Sequence, residues 1–137
     1  MLLFIKCNPR NQTESACLTV AQALVDAYRK RRPEEVMEEL DLYGADIPML
    51  DYTMLKGQSE LRTGGEYEQL GEPVRLKIDR ANDLCKQFME ADRYVIAAPM
   101  WSLDNPPMLK AYLDLVIQKD KTIHIQEDRV QGAMNDR

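Results

Sequence analysis

Two stretches constrain what this chain can fold into: residues 2–7 (Leu-Leu-Phe-Ile-Lys-Cys) and residues 94–98 (Tyr-Val-Ile-Ala-Ala), both of strand length and apolar almost throughout. A strand with one wet face alternates apolar and polar residues, whereas an unbroken run belongs to a strand covered on both faces, as in a parallel sheet layered by helices. The covering helices can be read between and after the runs. Across residues 15–32 the apolar positions 17, 20, 21, 24, 27 and 28 make one helical face. Glu14 stands at its start, and Arg29, Lys30, Arg31 and Arg32 stand at its end, before Pro33. Residues 73–90 carry a second stripe through Val74, Ile78, Ala81, Cys85 and Phe88. A third helix is expected from Asn105 as N-cap, with Pro106 and Pro107 in its first turn and Leu109, Tyr112, Leu113 and Val116 facing inward.

Residues 36–43 alternate, with Val36, Leu40 and Leu42 on one side and Glu39 and Asp41 on the other, which predicts a half-buried edge strand. Residues 44–71 show no sustained period and read as a long connection with short helical pieces, a length more often functional than idle. The order strand, helix, strand, connection, helix, strand, helix predicts an α/β, doubly wound parallel sheet with helices on both faces and strand order 2-1-3. After residue 121 no apolar run remains for strands 4 and 5. The expectation is therefore a single, incomplete domain over residues 1–137 whose third strand has a bare edge. Self-association through that edge should fall if Ala97 is replaced by Lys.

Charge and composition narrow the partners. A net charge of −5 with no basic stripe beyond residues 29–32 argues against nucleic acid. The apolar residues 1–5 are far short of the roughly 20 needed to span a bilayer, and no basic region precedes them. Cys7, Cys17 and Cys85 have neither zinc-site spacing nor the even count of a disulfide framework, so free thiols and a cytoplasmic location are expected.

In a doubly wound sheet, ligands bind beyond the carboxyl ends of the strands, here the loops after strands 1 and 3. The first loop, Asn8 to Ser15, leads into a helix start whose free N–H groups and dipole can receive a phosphate. The Thr13 and Ser15 hydroxyls and the Arg10 guanidinium are at hand to assist. The plain alternative is that Ser15 or Thr13 caps its own helix. A glycine fingerprint for dinucleotides is missing. Phosphatase chemistry at Cys7 would need Arg six residues on, where Thr13 stands, so Cys7 reads as a small buried residue at the strand end. The second loop, residues 99–107, holds the sole Trp. Trp101 could wall a planar, mostly apolar cofactor. Packing against the sheet would equally explain it, with Met100 as filler.

The wording of these segments adds to the reading. Residues 91–101 (Ala-Asp-Arg-Tyr-Val-Ile-Ala-Ala-Pro-Met-Trp), residues 106–114 (Pro-Pro-Met-Leu-Lys-Ala-Tyr-Leu-Asp), the opening Ile5-Lys6-Cys7-Asn8-Pro9-Arg10, and Glu39-Leu40-Asp41-Leu42-Tyr43 with Ile47-Pro48 resemble the FMN-dependent NADH-azoreductases and quinone reductases of flavodoxin-like fold. The resemblance implies FMN held noncovalently in a homodimer, reduced by NADH or NADPH, and passing electrons to a quinone or azo substrate. It places the phosphate turn on Ser15, Ala16 and Cys17 and the flavin-ring loop on Met100, Trp101, Ser102 and Leu103, with no side chain serving as catalytic acid or nucleophile. The chain departs from the pattern at Ser102 and Leu103, where Asn and Phe are usual. It departs again at Asp120, where Gly precedes the segment resembled by Lys121-Thr122-Ile123, and it lacks the later Gly-rich loop that completes the pocket. The alternative is a truncated, noncatalytic module acting through its sheet edge. His124 is given no role, and Glu127, Asp128 and Arg129 read as a solvated turn.

Overall fold

The computed structural model describes residues 1–134. Strand β1 (Leu2–Lys6) lies between β2 (Met37–Asp41) and β3 (Arg93–Ala97), all parallel, in the order β2-β1-β3. The register pairs Leu2 with Met37 and Arg93, and Lys6 with Asp41 and Ala97. Side chains of β1 alternate between two cores. Phe4 packs with Leu18, Ala21 and Val25 of helix α1 (Ala16–Arg31) on one face. Leu3 and Ile5 face helices α2 (Tyr52–Arg62), α3 (Glu72–Glu90) and α4 (Pro107–Val116) on the other. Burial of β1 on both sides explains its unbroken apolar run.

The connection after β2 holds more order than its sequence pattern predicts. Asp51 caps α2, accepting from the Met54 N–H at 2.9 Å and the Thr53 hydroxyl at 2.6 Å, and pairs with Lys77 of α3. These partners, Lys77 first, hold its carboxyl well below the usual carboxylate range. Gly57 lets α2 approach α3, because a Cβ there would meet Val74 Cγ1 at 2.8 Å. Helix α4 begins one residue later than the Asn105 cap would place it. Pro106 precedes another proline, which keeps it extended at φ −55°, ψ 144° and makes it the N-cap.

The expected absence of further strands is overturned. Strands β4 (Ile123–Gln126) and β5 (Arg129–Gly132) form a separate antiparallel sheet, with Ile125 opposite Val130. A hairpin needs apolar residues only on alternate positions of short strands. Ile123, Ile125 and Val130 meet that requirement without producing a run, and Glu127-Asp128 form the turn. Arg129, read as part of that turn, starts β5. Thr122 ties the hairpin to α4: its buried hydroxyl donates to Val116 O at 2.8 Å and accepts from the Gln118 N–H at 2.8 Å.

Strand β3 is an edge of the parallel sheet, as expected. Ala97, however, is a poor probe of that edge, because it is buried against α1 with Phe4 and Leu18. A Lys there would put an unpaired charge in a core; Ile96, 46% exposed, is the side chain that meets solvent.

Candidate functional site

Cys7 follows β1 directly, and its N–H donates to Ala97 O at 2.8 Å, so the loops after β1 and β3 leave the sheet side by side. The Cys7 thiol is fully buried, and burial pushes it up to about 11. A group that stays protonated at neutral pH is no nucleophile, which agrees with the reading of Cys7 as a packing residue.

Loop residues 8–15 are organised by Asn8, which sequence reasoning passed over. Its side chain is buried, Nδ2 donates to Ser15 Oγ at 2.8 Å, and Oδ1 accepts from the Arg10 N–H at 3.0 Å. A short helical turn, Gln12–Glu14, then leads into α1. Ser15 is the α1 N-cap: Oγ accepts from the Leu18 N–H at 3.3 Å, and Thr19 N–H makes the first intrahelical bond to Ser15 O at 2.9 Å. The capping alternative therefore holds for Ser15. Capping does not exclude ligand binding, since the amides of Ala16 and Cys17 precede the first intrahelical bond and form the positive end of the helix. Cys17 Sγ lies 3.3 Å from Ser15 Oγ, within the first turn that the expected phosphate turn occupies. Thr13 sits exposed in the short helical turn. Arg10 is also exposed and lines, with Lys6, Asn8, Gln22 and Asp41, a cavity of about 160 Å³ on the α1 side.

The loop after β3 closes into a tight turn. Trp101 N–H donates to Asp104 O at 2.8 Å, and Asp104 N–H returns a bond to Trp101 O at 3.0 Å. Between them Ser102 and Leu103 have φ of 49° and 66°, the left-handed region that non-glycine residues enter at a cost. The turn lifts apolar side chains into solvent, Met100 being 74% and Leu103 90% exposed. Trp101 is 38% exposed, and its ring centroid lies 6.3 Å from that of Tyr43, which follows β2.

A polar, positively polarised helix start and an exposed apolar turn thus leave one end of the sheet on neighbouring strands. The first suits an anionic head group and the second suits the face of a planar ring system, so the residues present fit the two ends of a flavin mononucleotide.

A family model described as flavodoxin-like fold matches residues 1–137. The chain belongs to the flavodoxin-like fold family. Within it, the chain is 36% identical over 136 residues to an FMN-dependent NADH:quinone oxidoreductase of Geobacillus kaustophilus, covering 99% of this chain and 64% of that protein. It is 40% identical over 136 residues to FMN-dependent NADH:quinone oxidoreductase 1 of Clostridium acetobutylicum, covering 99% and 62% respectively. The structure matches that of an FMN-dependent NADH-azoreductase from Bacillus anthracis in complex with FMN, at a TM-score of 0.92, 26% identity, and coverage of 99% of this chain and 64% of that one. This flavodoxin-like chain therefore spans a little under two thirds of the relatives it matches.

Proposed function

We propose that this chain binds FMN and serves an FMN-dependent oxidoreductase that passes electrons from NADH, or NADPH, to quinones or azo compounds. One observation carries the reading: the Ser15-capped helix start and the apolar Trp101 turn stand together at the carboxyl end of the sheet, in a chain similar over 99% of its length to proteins named for that activity. Ser15, Ala16 and Cys17 hold the phosphate through a hydroxyl and first-turn amides, with Asn8 fixing the serine. Arg10 adds a cation at the loop. Met100, Trp101, Ser102 and Leu103 border the ring. Bound FMN supplies the two-electron chemistry; the protein's part is to bind, orient and exclude water, and no side chain of these loops has to act as acid, base or nucleophile.

The names of the relatives favour NADH as donor. Residues 1–137 act as one flavodoxin-like domain whose two cores share a single sheet. The reading extends to a homodimer, as the resemblance implies, and to the cytoplasm. The latter is supported by three free cysteines.

The test is a titration of the purified chain with FMN and, separately, riboflavin, followed by flavin fluorescence, with NADH and a quinone added afterwards. Saturable FMN binding that is about tenfold weaker in Ser15→Ala, with riboflavin unaffected, is the expected result, one charge-assisted bond being worth roughly 1.5 kcal/mol. Absence of saturable FMN binding to the intact chain would refute the reading. Light scattering of the same sample reports whether it is a dimer.

A further inference from the structure

We propose that Tyr43, which no part of the flavin reading uses, is a positioning residue that braces Trp101 and so sets the flavin-ring loop. The proposal rests on that reading for its consequence but not for its geometry. Strands β2 and β3 flank β1, so the segments leaving them are separated by two strand spacings, roughly 9–10 Å. Tyr43 closes that gap, its ring meeting the Trp101 indole at 6.3 Å between centroids with the planes tilted by 58°, within the range of aromatic pairs. Burial and, secondarily, the nearby Cys7 raise its phenol above the ordinary value, and its side chain packs partly buried against the larger core.

The brace is itself anchored. Asp41 Oδ1 accepts from the Tyr43 N–H at 3.0 Å and the Gly44 N–H at 3.3 Å, and Asp41 O accepts from the Ala45 N–H at 2.8 Å. Trp101, by contrast, belongs to a turn with two left-handed non-glycine residues, closed by a single pair of backbone bonds. A strained turn keeps one shape only when its surroundings over-determine it, and Tyr43, packed against the core, supplies a contact for the Trp101 ring. Asp41 also lines the cavity beside Asn8 and Arg10. The turn after β2 therefore touches the surroundings of both flavin loops.

Trp101 is the sole tryptophan, so its emission reports this contact in the flavin-free chain. Tyr43→Leu keeps bulk and removes the ring; Tyr43→Phe keeps the ring. In the flavin-free chain, Y43L should shift the emission to the red and about double the acrylamide quenching constant, with Y43F matching the native chain. FMN and riboflavin affinities should then fall together by about two- to tenfold in Y43L, the range expected for loss of one aromatic contact, leaving their ratio unchanged because the phosphate end is untouched. Unaltered emission and quenching in Y43L would overturn the proposal, as would unaltered affinities, or an affinity ratio that collapses with them. If circular dichroism shows Y43L unfolded, Tyr43→Met is put through the same readouts. Should the native chain bind neither flavin, the functional reading fails, and emission alone then decides whether Tyr43 holds Trp101.

Discussion

Strand β1 and the β4–β5 hairpin are held by different physics. Every residue of β1 from Leu2 to Ile5 is buried, with Leu3 and Ile5 in one core and Phe4 in the other, and its backbone is paired on both edges. Among the described residues the hairpin joins no other strand of a sheet, leaves Ile125 and Val130 largely in solvent, and is fastened at its base through Thr122, a bridge between Lys119 and Ile123, and the Ala133 N–H, which donates to Thr122 O at 2.8 Å. Two-stranded hairpins are marginal alone. The first region is thus fixed by apolar area and close packing, the second by a few polar bonds at its base, and mutations should separate the two.

The largest expected effect is on β1. Ile5→Ala removes a wholly buried side chain and should cost about 3–4 kcal/mol, read as a lower denaturant midpoint. The matching change Ile125→Ala should stay within about 0.5 kcal/mol, as exposed substitutions do. Equal losses would mean that the hairpin shares the core's cooperativity.

Next is a pH effect at the end of β1. Burial raises the Cys7 thiol from 9.0 to about 11, so between these values the unfolded chain gives up a proton that the folded chain retains. Stability is full below pH 9 and declines toward pH 11, by about 2–3 kcal/mol for this group. Cys85 and Tyr112 are raised by burial too and titrate in the same direction. The contribution of Cys7 is therefore the difference between native and Cys7→Ala unfolding curves at pH 8 and pH 11. No difference between them would mean the thiol is wetter than its packing shows.

This contrast also governs what was legible beforehand. β1 could be read directly, because a strand covered on both faces writes burial into consecutive residues; the apolar run of β3 also marked a strand, but there Ile96 meets solvent and only Ala97 is fully buried, so the expected cover on both faces holds for β1 alone. In the hairpin only one residue in two points to the apolar side and the strands are four residues long, so Ile123, Ile125 and Val130 look like isolated apolar residues in a polar tail. The site divides in the same way. Ser15 was readable as a cap and Trp101 as an oddly placed aromatic, since both signals are local. Asn8 and Tyr43 were not, because nothing nearby in sequence distinguishes a loop Asn in water from one buried against Ser15, or forecasts that a Tyr after β2 meets a Trp after β3. Such roles exist only once the sheet order is known.

The hairpin's fastening gives the third prediction. Thr122→Val keeps the shape but takes the hydroxyl from the Gln118 N–H and leaves Val116 O with only the weak Cys85 thiol donor at 3.7 Å. A buried orphan costs about 1–3 kcal/mol, so a loss of about 2 kcal/mol is expected. It should be concentrated in the hairpin: amide exchange at 123–132 should speed up while exchange in β1 is unchanged. Uniform acceleration would show that the base of the hairpin supports the whole fold.

The smallest effect is expected at Asp120, just before the hairpin, where the resembled family has Gly. Its φ of 64° lies in the left-handed region, and its N–H donates to Ile123 O at 2.7 Å, so the backbone shape is required to start β4. Asp tolerates that region better than most residues but worse than Gly. Asp120→Gly relieves the steric cost while adding freedom to the unfolded chain, and it gives up only a distant contact with His124, 3.8 Å away and exposed. The balance should favour the glycine by about 0.5 kcal/mol, seen as slower amide exchange in the hairpin without a change in the midpoint of β1. Faster exchange would mean that the Asp120 side chain, and not its backbone, holds the turn.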